Sequence, residues 1–159
     1  MREPCVYLSP DVFLFTPGVL PRRNQFDDPG LWRSFRKGVF DGFFRSVAAF
    51  AEAGNLVIAD IVLEDESQFE SLRSAVADCD VLFIGLHCPL EMLQERETAR
   101  GDRQPGDAAR DFTVVHTFSS YDLECEATQT TEENVRSILE AWGGQQGAAL
   151  GRGADPETR

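Results

Sequence analysis

The stretch Leu56-Val57-Ile58-Ala59-Asp60 is apolar on both faces of an extended chain and ends on an acid. That is the pattern of a parallel strand buried between layers, with a carboxylate delivered at its carboxyl end. The run Val81 to Leu86 reads the same way, and so does Cys5 to Leu8, which Ser9-Pro10-Asp11 terminates so that Asp11 enters a loop. Leu123 to Ala127 is the last strand candidate. Each strand is separated from the next by a segment of helical periodicity. From Leu31 to Ala53, Leu31, Phe35, Val39, Phe43 and Val47 recur on one face, with Phe40, Phe44, Ala48 and Ala51 beside them. Gly54 is the natural stop of this helix, and the aromatic stripe reads as core. Phe69, Leu72 and Val76 mark a second helix, Leu90 to Arg100 behind Pro89 a third, and Asp107 to about Phe118 a fourth. Thr130-Thr131-Glu132-Glu133 holds a capping-box spacing ahead of a last helix carrying Val135, Ile138, Leu139 and Trp142. Strands alternating with helices predict an α/β fold, a parallel sheet with helices on both faces, whose ligands gather at the carboxyl ends of the strands.

The rest of the composition narrows the function. The 159 residues suit one domain, over 1–142, followed by a glycine-rich polar tail at 143–159 that is expected to be disordered. Acidic residues outnumber basic ones 27 to 15, giving −12 at pH 7, a field that disfavours nucleic acid as a partner. Lys37 is the sole lysine, and the other basic residues are arginines, suited to bidentate grip on phosphate or carboxylate. Cys5, Cys79, Cys88 and Cys125 form no CxxC pair and read as reduced core thiols, and His87 and His116 add no metal-ligand spacing. Prolines interrupt the first 20 residues before any signal-peptide or membrane-spanning length, so a cytoplasmic protein without membrane partners is expected.

Three places carry candidate chemistry. In Glu95-Arg96-Glu97-Thr98-Ala99-Arg100-Gly101-Asp102-Arg103, Arg96 and Arg100 lie one helical turn apart and Arg103 follows on roughly the same side, a cationic lip able to close on phosphates. The competing reading pairs these arginines with Glu95, Glu97 and Asp102 on a solvated helix. Asp11 is the candidate general base at a strand end, and Asp60 is a carboxylate that could orient magnesium through water; either could also be a turn or capping residue. The loop Thr16 to Gly30, with three prolines and two glycines, is long enough to shape a ligand pocket or to be a plain excursion. His116 is expected on an apolar helical face with Phe112 and Val115. His87 and Cys88, adjacent on a strand, point to opposite faces and make a poor nucleophilic pair.

The segment ERETARGDRQPGDAARDFTVVH, with YDLECEAT and the terminal helix after it, resembles the chloramphenicol phosphotransferase-like family of P-loop kinases. The resemblance runs from REPCVYLSPD through AGNLVIADIVL and DVLFIGLHC to Trp142. It implies a three-layer P-loop kinase-like fold and an ATP- and Mg2+-dependent transferase that phosphorylates a small-molecule hydroxyl, in the prototype an antibiotic. It places Asp11 at the family's catalytic base and Arg96, Arg100 and Arg103 in its arginine-bearing lid. The sequence departs from the family in one respect, since no stretch matches GxxxxGK[ST] and Lys37 sits inside a helix. The family's first strand and Walker A loop are therefore expected to be missing, through a misassigned start or a truncated gene. That first strand lies centrally in the family's sheet, so its omission leaves backbone rows unpaired unless the remaining strands close the gap. Two functions stay open: an impaired small-molecule kinase, or a non-catalytic remnant acting as a small-molecule or protein binding module.

Overall fold

A computed structural model describes residues 4–100 and 106–144. Arg103 and residues 145–159, where a disordered tail is expected, lie outside the described residues. Strand β1 spans Cys5–Leu8 and β2 Leu56–Ala59, and they pair in parallel with Cys5 opposite Leu56 and Tyr7 opposite Ile58. Their crossover contains a short helix α1 (Asp11–Phe15), a 3-10 turn (Arg23–Gln25) and the 24-residue helix α2 (Pro29–Glu52). Local chemistry sets both ends of α2. The Asp28 carboxylate accepts the Gly30 N–H at 2.7 Å and Pro29 supplies a pre-set first turn, while Gly54 adopts the left-handed conformation (φ 86°) that closes a helix. The aromatic stripe is core where it meets the sheet, with Phe40, Phe43 and Phe44 buried beside Val47 and Ala48; Leu31, one turn from the start, stays 62% exposed. Helix α3 (Glu66–Ala75) contributes Phe69 and Leu72, and Val76 follows, all buried as the periodicity predicts.

Strand β3 spans Ile84–His87 and β4 Leu123–Glu126, again parallel, with Gly85 opposite Glu124 and His87 opposite Glu126. Their crossover carries α4 (Leu90–Arg100) and α5 (Asp107–Phe112), and α6 (Thr131–Gly144) follows β4. Residues 81–83, read from sequence as strand, are not, because the Phe83 N–H goes to the Asp122 carboxylate at 2.8 Å instead of to a strand neighbour. Helix α5 stops at Phe112 rather than near Phe118. The β-branched run Thr113-Val114-Val115 continues as turns, and His116 takes a left-handed φ of 75°. The Thr130 box forms as read: Glu133 accepts from the Thr130 N–H at 2.9 Å and from its hydroxyl at 2.8 Å, and Thr130 Oγ1 accepts the Glu133 N–H at 3.3 Å.

The architecture is α/β with short parallel strands and helical crossovers, as expected. Among the described residues the strands form two two-stranded sheets, β1-β2 and β3-β4. The chain correspondingly resolves into two compact units. One comprises the described residues to Leu63 with Ser67–Cys79; the other comprises 64–66 and the described residues from Asp80. No described helix is long and apolar enough to cross a membrane.

Candidate active site

In the first unit the carboxyl ends of β1 and β2 hold Asp11 and Asp60. The ladder continues one step past β2, the Asp60 N–H donating to the Leu8 carbonyl at 2.9 Å, which fixes the Asp60 backbone against the end of β1. Tyr7 and Ile58 are register partners, so Asp60, two residues after Ile58 on the same face, is the diagonal neighbour of Tyr7. The Tyr7 hydroxyl donates to Asp60 Oδ2 at 3.0 Å. That hydrogen bond, and then the charge of the same carboxylate, hold the Tyr7 phenol above its ordinary range; the Ser9 side chain works against the rise and Asp11 adds to it. Asp11 is not in a loop, as the sequence implied, but opens α1, because Pro10 turns the chain and Ser9 Oγ accepts the Asp11 N–H at 3.3 Å. Ser9 is buried although it is polar. The structure thus brings Asp11 and Asp60 to one strand end with Tyr7 and Ser9 among them.

The Thr16 to Gly30 connection turns at Gly18 (φ 81°) and is braced by the Arg22 N–H on Gln25 Oε1 at 2.6 Å. Its one aromatic, Phe26, packs edge-on to Trp32 at 5.2 Å and against Phe35 at 5.3 Å, so the loop returns onto the first turns of α2. Lys37, deeper in that helix, is ion-paired to Asp41 at 2.8 Å and holds that carboxyl below its ordinary range. A lysine so engaged matches its reading as a helix-surface residue.

In the second unit Arg96 and Arg100 stand exposed on α4, one turn apart. Neither is ion-paired among the described residues. Glu97, expected as a partner for them, turns instead to α5, its carboxylate accepting the Gly106 N–H at 3.0 Å and the Ala108 N–H at 2.8 Å. It caps the positive end of that short helix and leaves the two guanidinium groups to solvent.

The sequence reading missed a cluster on β3. The Tyr121 ring lies over Gly85, where a Cβ would sit 2.6 Å from it, and stacks on Phe83 at 4.8 Å. The Tyr121 hydroxyl bonds to His116 Nδ1, and the His116 ring lies 4.3 Å from that of His87. Burial first, and then the His87 charge, push His116 below the ordinary histidine range. A glycine inside a strand was the available signal, since it marks close approach of another group. The four cysteines are free; Cys125 is buried, with its thiol pushed up by burial, but Cys5 is exposed and is not a core thiol, because its face of β1 is uncovered. Among the described residues no three His, Cys, Asp or Glu side chains form a metal cage.

The family described as "Chloramphenicol phosphotransferase-like protein" matches residues 1–143. The chain belongs to the chloramphenicol phosphotransferase-like family. Two relatives from Mycobacterium tuberculosis, of strains CDC 1551 / Oshkosh and ATCC 25618 / H37Rv, each named "Putative O-phosphotransferase", are 30% identical over 100 residues. That match covers 62% of this chain and 44% of each relative, so the chain spans less than half the length of either. The solved structure of the Deinococcus radiodurans tunicamycin resistance protein superposes with a TM-score of 0.53 at 15% identity, covering 91% of this chain and 85% of that one. This likeness places the chain in the P-loop kinase-like α/β fold.

Proposed function

We propose that the chain serves an ATP-dependent O-phosphotransferase that phosphorylates the hydroxyl of a small, antibiotic-type molecule. The observation that carries the reading is the pair of carboxylates, Asp11 and Asp60, set at the carboxyl ends of two parallel strands in a member of this family. Asp11 accepts the proton of the acceptor hydroxyl, a role open to a carboxylate within hydrogen-bond reach. Arg96, Arg100 and Arg103 steady the phosphates; that Arg96 and Arg100 have no ion-pair partner among the described residues supports that role. The Thr16 to Gly30 loop and the aromatic start of α2 shape the acceptor pocket.

Bound ATP and Mg2+ would supply the phosphoryl group and offset its charge. The residues present fit magnesium held largely by water and nucleotide oxygens, with Asp60 orienting that water, since this ion commonly takes only one or two carboxylates. They do not fit a phosphate cradle: the 159 residues contain no GxxxxGK[ST], so transfer by this chain alone is expected to be slow.

The test incubates the purified chain with ATP, Mg2+ and hydroxyl-bearing antibiotics, chloramphenicol and tunicamycin included, and follows phosphorylated product by mass spectrometry. Asp11→Asn is expected to abolish transfer while leaving nucleotide binding nearly intact; retained turnover eliminates Asp11 as base. Thermal stabilisation by millimolar ATP supports the kinase reading. Its absence favours the binding-module reading, to which the exposed Tyr7 and Ile58 face would belong.

A further inference from the structure

A carboxylate at a strand tip rotates freely about two side-chain bonds, so an acid that must hold a water or a charged oxygen in one direction needs a partner to fix it. For Asp60 that partner is Tyr7. The Tyr7 hydroxyl donates to Oδ2 at 3.0 Å, leaving Oδ1 to point elsewhere. The phenol arrives there because the parallel register makes Asp60 its diagonal neighbour and the Asp60 N–H is locked to the Leu8 carbonyl. Ser9, a buried polar residue two positions on, accepts the Asp11 N–H at its Oγ. A tyrosine 60% exposed on an uncovered strand face gains little from apolar burial. Its placement is explained by what its hydroxyl holds.

Resting on the phosphotransferase reading, we propose that Tyr7 is a positioning residue: its hydroxyl fixes the direction of the Asp60 carboxylate.

The experiment uses the full chain in two independent arms, with folding of Tyr7→Phe and Asp60→Asn checked by circular dichroism. The first is the tyrosine Raman doublet, which reports whether a phenol donates a hydrogen bond, read without metal or nucleotide. Of the two tyrosines, Tyr7 and Tyr121, only Tyr7 faces Asp60. Loss of part of the donor signature in Asp60→Asn supports the proposal, and an unchanged doublet overturns it. The second is Mn2+ uptake followed by water-proton relaxation. Tyr7→Phe is expected to weaken Mn2+ binding about tenfold, and the double variant to bind no more weakly than Asp60→Asn alone. Equal affinity in Tyr7→Phe and the wild type, additive losses in the double variant, or no Mn2+ uptake by the wild type each overturn the role. A chain that binds Mn2+ in this pattern and transfers no phosphate overturns the phosphotransferase reading and leaves the positioning role standing.

Discussion

The two units are built from opposite materials. The first buries a set of apolar side chains, Phe40, Phe43, Phe44 and Val47 from α2 and Leu63, Phe69, Leu72 and Val76 from the segment that follows β2. Among the described residues of the second, Cys125 is the sole buried apolar side chain, and Val135, Leu139 and Trp142 of α6 remain exposed. What defines the second unit is directional: the Tyr121 ring on Gly85, the histidine stack, the Glu97 cap on α5 and the Thr130 box. Apolar burial is forgiving of small displacements, whereas such contacts are made or lost over a few tenths of an ångström. The first unit is therefore expected to carry the stability and the second to be the more easily perturbed.

One tryptophan in each unit, Trp32 and Trp142, lets denaturation report them separately. The largest expected effect is Phe44→Ala. This side chain is fully buried, and removing it should cost about 3–5 kcal/mol, read as an earlier denaturant midpoint at Trp32. If Trp142 shifts by the same amount, the units unfold as one and the contrast between them fails as a thermodynamic statement. Gly85→Ala comes next. The new Cβ meets the Tyr121 ring at 2.6 Å, so ring or strand must move, at about 1–3 kcal/mol, seen at Trp142 with Trp32 unaffected.

The smallest effect is a pH slope. Because His116 is held below its ordinary value of 6.5, the unfolded chain takes up the proton first. Stability of the second unit should then fall as pH drops below 6.5, until the folded form protonates as well. His116→Asn, which tolerates the left-handed backbone, should flatten that slope in the Trp142 transition. An unchanged slope would assign the acid sensitivity to other groups.

The contrast also explains what could be read ahead of the structure. The Gly54 stop of α2, the Thr130 box and the burial of Phe43, Phe44, Phe69 and Leu72 follow from local rules, in which a left-handed glycine, a capping spacing or a 3.6-residue period suffices, whereas the Asp28 cap and Pro29 were read as loop. Asp11 and Asp60 were legible as acids ending apolar runs. Their link through Tyr7 was not, because it depends on the β1-β2 register, which joins residues 53 apart in sequence. The early end of α5 and the swing of His116 onto His87 and Tyr121 were hidden for a similar reason, since Phe112, Val115 and His116 fit a helical face until the β-branched run and a left-handed turn intervene. The role of Glu97 was hidden by its neighbours: beside Arg96 and near Arg100 it looks like an ion-pair partner, and only the placement of α5 directs it to two backbone N–H groups.

Cys5 turns the uncovered face of β1 into a readable surface. It precedes Tyr7 by two residues and so lies on the same side of the strand, exposed, whereas Cys125 is enclosed and its thiol resists ionisation. A maleimide that modifies Cys5 in the chain alone and is slowed when another molecule lies across Tyr7 and Ile58 would act as a footprint of occupancy, with Cys125 as the unreactive internal standard.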